Sequence, residues 1–158
     1  MFDALQNKAL STVDINSILK CFDTFVGAFP SDMVPIEPKT YPCAFVINTS
    51  PNNTDGDHWT ALILEKDCCL FFDTLGFPIL NNLILMSLKK IGIKDYKYNS
   101  KRIQSVVSNK CGHFCIAFIL SYLHGYPYST FLSNFVTDLK ENDNLCKNFI
   151  IKHMNKQC

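Results

Sequence analysis

Apolar and polar positions fall in blocks along the chain, and each block selects an element by its spacing. Ile15, Ile18, Leu19 and Phe22 recur at helical intervals, so 13–22 reads as a short amphipathic helix. Pro30, Pro35, Pro38 and Pro42 follow. Each fixes φ and removes a donor, which makes 30–42 an extended connection. Cys43 to Asn48 is an apolar strand, and the polar run from Ser50 to Gly56 is a loop. His58 to Leu64 and Cys68 to Asp73 are two further apolar runs, joined as a hairpin by Glu65, Lys66 and Asp67. None of these strands alternates cleanly. Strands covered on both faces look like this, so a sandwiched sheet is expected.

The second half is mainly helical. Leu80, Leu83, Ile84 and Leu88 mark a helix over 78–91, and 94–99 alternates as a polar edge strand. Ser108 and Asn109 offer N-caps to an apolar helix over about 110–122, which Gly125 and Pro127 end. Further helices are expected over 128–140 and 142–155. No repeat, low-complexity tract or linker divides the chain, so 1–158 reads as one domain.

Composition narrows the picture. Of the 158 residues, 47% are hydrophobic, enough for one continuous core without disulfide or metal staples. Eight cysteines would suit a disulfide framework in a secreted chain. However, Met1, Phe2 and Asp3 open no signal peptide, and several cysteines sit in apolar runs as small hydrophobes. An intracellular, reducing compartment is expected. No apolar run is long enough to span a membrane. Net charge is +1, but Lys89 to Lys110 holds seven basic residues against one acid. That stretch could meet an anionic partner such as DNA, or be a solvated basic face.

Chemistry concentrates in two places. Centring the hairpin turn between Glu65 and Lys66 sets His58 directly opposite Asp73. Opposed residues bring a carboxylate to an imidazole, which fixes its tautomer and stabilises its charged form. Cys111 stands in the first turn of the apolar helix, where partial positive charge and unpaired N–H groups favour a thiolate. Gly112 leaves the approach to its sulfur uncrowded, and the first-turn amides could donate to an oxyanion. Taken singly, each residue has a structural explanation: packing for Cys111, a turn for Asp73, a surface amide for Gln104. Zinc is the other reading of Cys111, His113 and Cys115, with Cys68 and Cys69. Positions i and i+2 of a helix diverge, and no second cysteine pair is evident, so no metal is expected.

These residues stand in a pattern that resembles the adenovirus-type (adenain-like) cysteine proteases, in the fold group shared with ubiquitin-like-protein proteases. The pattern is Ala44 to Thr49, then Gly56-Asp57-His58-Trp59, then Leu70 to Phe77 with Asp73 ahead of Gly76-Phe77. Gln104-Ser105 follows, seven residues before Cys111-Gly112-His113-Phe114-Cys115. The resemblance covers about residues 12–125. It implies an α+β fold, a mixed central β-sheet flanked by helices, with the nucleophile at the N-terminus of a central buried helix. It assigns the nucleophile to Cys111, the base to His58, the orienting acid to Asp73 and the oxyanion side-chain donor to Gln104. Only the resemblance points to Gln104.

It further implies a polypeptide substrate, and a DNA or peptide activator, with no other cofactor required. The acid is Asp where the adenovirus enzymes have Glu, although Asp is usual in ubiquitin-like-protein proteases. The absence of cysteine from 92–103 argues against covalent peptide activation. The expected function is a cysteine endopeptidase processing structural proteins of a virus or virus-like element, located in the host nucleus or virion. Two alternatives stand beside it: a deubiquitinase or deSUMOylase of the same fold, and an inactive relative that binds nucleic acid.

Overall fold

The structure is a computed structural model that describes residues 7–154. Five strands form one mixed sheet in the order β1-β2-β3-β4-β5: β1 Phe25–Pro30, β2 Cys43–Asn48, β3 Trp59–Leu64, β4 Cys69–Phe72 and β5 Tyr96–Tyr98. The inner pairs are antiparallel, and both edge strands run parallel to their neighbours. Helices are α1 Thr12–Leu19, α2 Asn82–Ile91, α3 Cys111–Leu123, α4 Tyr128–Ser133 and α5 Leu139–Met154.

Every residue of β2 and β3 is buried. The reason is the sandwich that the missing alternation implied. On one face, Ala44, Val46, Ala61, Ile63 and Phe72 pack beneath α3 with α1, α4 and α5. On the other, Phe45, Ile47, Leu62, Leu64 and Phe71 meet Ile84 and Leu88 of α2. Phe72 stacks on Phe118 of α3 at 4.9 Å between ring centroids. Ten consecutive residues of α3, Gly112 to Ser121, are buried, so this helix is anchored on all sides. A helix held so firmly is a rigid mount for the residue at its start.

Several boundaries differ from the sequence expectation. Helix α1 begins at Thr12 with a capping box, Ser11 and Asp14 each bonding the other's backbone amide. Helix α2 starts at Asn82, because the Asn81 side chain accepts the Leu83 amide at 2.8 Å. The helix expected over 128–140 stops at Ser133. Asn142 accepts the Val136 amide and donates to the Val136 carbonyl, so the break is satisfied by a side chain rather than by helix. Asp138 then accepts the Lys140 amide as α5 opens.

Among the described residues, six cysteines are free thiols, while Cys21 is disulfide-bonded. Among the described residues, no helix is long and apolar enough to cross a membrane. No three His, Cys, Asp or Glu side chains among them converge to hold a metal ion.

Candidate active site

The hairpin register differs from the expected one. The ladder pairs Leu64 with Cys69 and Ala61 with Phe72, because the turn spans four residues and closes with the Glu65 amide on the Cys68 carbonyl. Its continuation sets Thr60, not His58, opposite Asp73. The displacement is two residues, and an even displacement preserves the side on which side chains emerge. His58 and Asp73 each lie one residue beyond a strand end, at the same end of the sheet, and meet diagonally. His58 Nε2 is 2.7 Å from Asp73 Oδ1.

Both partners are held from behind. The Thr49 amide donates to the His58 carbonyl at 2.8 Å. The Leu75 amide donates to Asp73 Oδ1 at 2.9 Å, and the Asp73 amide donates to Asn99 Oδ1 at 3.0 Å. Asn99, buried at the end of β5, returns its own amide to the Asp73 and Lys101 carbonyls. Tyr128 donates to Asn99 Oδ1 at 3.1 Å and to the Phe71 carbonyl at 2.6 Å. Asp73 is 6% exposed.

Cys111 is the first residue of α3, as the sequence indicates, but the cap is not Ser108 or Asn109. Lys110 occupies the N-cap position and makes no side-chain cap bond. The first intrahelical bond runs from the Phe114 amide to the Lys110 carbonyl, so the Cys111 and Gly112 amides have no carbonyl within the helix. Gly112 also has a packing role. A Cβ there would meet Leu10 Cβ at 3.2 Å and Trp59 Cδ1 at 3.3 Å, two largely buried side chains that also line the groove. The missing side chain lets Trp59, whose Nε1 donates to the Leu10 carbonyl, lie directly under the helix start.

The His58 ring links the two halves. Burial pushes its pKa down, but hydrogen bonds to Asp73 and to Cys111, with the charges of both, outweigh burial and raise it to about 9. With Nε2 turned to Asp73, Nδ1 is the ring nitrogen left for Cys111. Four other thiols are buried away from the groove. Burial raises Cys43 to about 11 and Cys69 to about 12, and pushes Cys115 and Cys146 well up. These four are protonated near neutrality and shielded. Among the described cysteines, Cys111 is the one that lines the groove with His58.

Gln104 lies on the same groove wall and is 3% exposed. Its Oε1 accepts from Thr74 Oγ1, and its Nε2 donates to the Ser108 carbonyl at 2.9 Å and Ser108 Oγ at 3.2 Å. The Ile103 and Gln104 amides both donate to the Thr74 carbonyl. The turn from Asp73 to Gly76 therefore positions the acid and the amide together. Gly76 has φ +77°, and a Cβ there would lie 2.8 Å from the backbone of Lys101 and Arg102. Gly76→Ala is expected to cost about 1–2 kcal/mol for the left-handed conformation and about 1–3 kcal/mol for contact with unyielding backbone. Thermal denaturation should show a loss of about 5 °C or more.

His58, Gln104 and Cys111 open into one groove of about 810 Å³, with Trp59, Leu75 and Val106 on its walls. The arrangement can activate a thiol beside donors for a developing negative charge. Sequence reasoning missed Thr74, Asn99 and Ser108, whose partners lie far along the chain or whose residue types carry no signal of their own. The basic stretch is divided among elements. Lys89 and Lys90 end α2, Lys97 is on β5, and Lys110 caps α3. Lys101 and Arg102 donate to the Phe135 and Gln104 carbonyls.

The sequence model of the adenovirus endoprotease family matches residues 22–156. The chain is 26% identical over 132 residues to a protease of porcine adenovirus A serotype 3, covering 74% of this chain and 64% of that protein. It is 30% identical over 128 residues to a protease of bovine adenovirus 7, covering 72% and 62%. The chain therefore spans somewhat under two thirds of the length of these relatives. The crystal structure of the ASFV pS273R protease superposes with a TM-score of 0.50 at 20% identity, over 89% of this chain and 70% of that one. That match shows a shared fold.

Proposed function

The chain belongs to the adenovirus endoprotease family, and on that premise we propose that it is a cysteine peptidase with Cys111 as nucleophile, His58 as base and Asp73 as orienting acid. The observation that carries the proposal is the His58 ring, bonded at 2.7 Å to Asp73 and lining one groove with the helix-start thiol of Cys111. The substrate is a polypeptide lying in the groove, and the setting is the processing of viral structural proteins inside an infected cell or virion.

The steps follow from that geometry. His58 Nδ1 takes the Cys111 proton, and the sulfur attacks a peptide carbonyl carbon. The carbonyl electron pair moves to oxygen, where the Cys111 main-chain N–H and a Gln104 amide N–H receive it. An amide nitrogen carries two N–H groups, so one can stay on Ser108 while the other serves the oxyanion. A donor of this kind is worth about 2.7–4 kcal/mol. Collapse of the intermediate breaks the C–N bond, and His58 gives its proton to the leaving amine. Water then attacks the thioester while His58 accepts its proton. The acid leaves, and the Cys111–His58 pair is restored.

An electrophilic peptide probe followed by mass spectrometry tests this. Labelling should fall on Cys111 alone among the eight cysteines. Labelling spread over other cysteines, or absent, would overturn it. Parallel incubation with capsid-type peptides and with ubiquitin-like modifier fusions separates an endopeptidase from a modifier-cleaving enzyme.

A further inference from the structure

The segment that carries Gln104 is gripped at both ends by two consecutive residues of α5. Asn142, fully buried, donates to the Ile103 carbonyl at 2.9 Å. Asp143 accepts the Ser108 hydroxyl proton at 2.9 Å. Between these two anchors the chain has little packing of its own, since Val106 and Val107 are 78% and 82% exposed. The far end of the segment is therefore set largely by the Ser108 contact.

That contact reaches further than one loop. With its proton committed to Asp143, Ser108 Oγ is left to act as an acceptor, and it receives two donors. One is Gln104 Nε2 at 3.2 Å, and the other is the Lys110 main-chain amide, also at 3.2 Å. Lys110 immediately precedes Cys111 at the start of α3. A single hydroxyl therefore ties the Gln104 amide to the first peptide of the helix, which are the two sources of oxyanion donors in the proposed mechanism. If the hydroxyl rotated, its proton would face one of those N–H groups and break the tie. The carboxylate prevents that rotation, and partial burial beside Lys110 keeps the contact from exchanging freely with water.

We propose that Ser108 and Asp143 are positioning residues that hold the Gln104 amide and the helix-start N–H in register for one oxyanion. The proposal rests on the peptidase reading above. It brings the C-terminal helix, which touches no substrate atom, into the reaction through the placement of donors. Misplacing a reacting or stabilising group by about 1 Å costs up to about 100-fold in rate. Ser108→Ala and Asp143→Ala are therefore expected to lower kcat about 10- to 100-fold with KM nearly unchanged. Ser108→Thr and Asp143→Asn, which keep the hydroxyl and an acceptor, should recover most of the loss.

Two inhibitors separate positioning from a structural role. A peptide aldehyde forms a tetrahedral adduct on the thiol and needs the oxyanion donors. Iodoacetamide alkylates the thiolate by displacement at carbon and does not need them. In the full chain, both alanine variants should weaken aldehyde binding about as much as kcat falls, with the Cys111 alkylation rate and melting temperature close to wild type. Alkylation and melting temperature falling in parallel with kcat would overturn the proposal in favour of a structural role. Variants that match wild type in kcat and aldehyde affinity would overturn it outright. A wild-type chain that neither cleaves peptide nor binds the aldehyde would instead overturn the peptidase reading, and this proposal with it.

Discussion

Replacing Cys111 with alanine is expected to abolish peptide hydrolysis, a loss on the order of 10⁶-fold in kcat, as found when a nucleophile is removed from an enzyme whose residues act as a unit. Without the sulfur there is no acyl intermediate, and water has no general route into a groove arranged around a thiol. The fold should be almost untouched. Alanine is the best helix former, and α3 is secured by the ten buried residues that follow. The side chain removed is small and half-buried at the helix start, so no large cavity forms. Circular dichroism and thermal denaturation should match wild type while kcat/KM on a cleavable peptide falls below detection. Retained cleavage would remove Cys111 from the mechanism. His58→Ala gives a useful contrast, since it leaves the thiol present but without its base.

How legible this site was in the sequence depended on whether each residue's role is local. Cys111 stands where an apolar run begins, and its place at a helix start follows from periodicity. His58 and Asp73 lie at the margins of two apolar runs, so their approach needs only a hairpin. Even there the exact pairing was not legible. Including Asp67 and Cys68 in the turn moved the register by two residues, and the side chains still met because parity survived. Gln104 had no local signal. It is placed by Thr74, thirty residues away, and by Ser108, which in turn depends on Asp143 thirty-five residues on. Asn99 likewise reaches Asp73 across twenty-six residues. Hydrogen bonds over such separations are made by tertiary packing, and nothing in composition or spacing announces them. Gly112 shows the converse. Its position beside the sulfur suggested an open approach for substrate, but gave no sign of the close packing of Trp59 and Leu10 against it. The sandwiched sheet was legible because burial on both faces erases alternation, and that erasure is visible in β2 and β3.

Removing the Asp73 carboxylate should have the second-largest effect and should change the pH dependence in a defined direction. Asp73→Ala takes away the acceptor of both His58 Nε2 and the Leu75 amide, freeing the ring and loosening the turn whose Thr74 holds Gln104. A loss of about 10⁴-fold in kcat is expected, the scale seen when the acid of a triad is lost. Asp73→Asn should cost less, because the Leu75 amide continues to hold Oδ1 in place as an acceptor and only the charge is lost.

The pH profile separates charge from geometry. Burial lowers the His58 pKa, and Asp73 and Cys111 together reverse this and raise it to about 9. The alkaline limb of kcat/KM, where the imidazolium is lost, should therefore lie near pH 9 in the native chain and move to lower pH in Asp73→Asn. Stability follows the same group. The folded pKa is above the unfolded value of about 6.5. The His58 contribution is thus complete below about pH 6.5 and is lost as pH rises through about 9. Melting temperature should decline over that window in the native chain and change less in Asp73→Ala. An alkaline limb that stays near pH 9 in Asp73→Asn would show that the Asp73 charge does not set the state of His58.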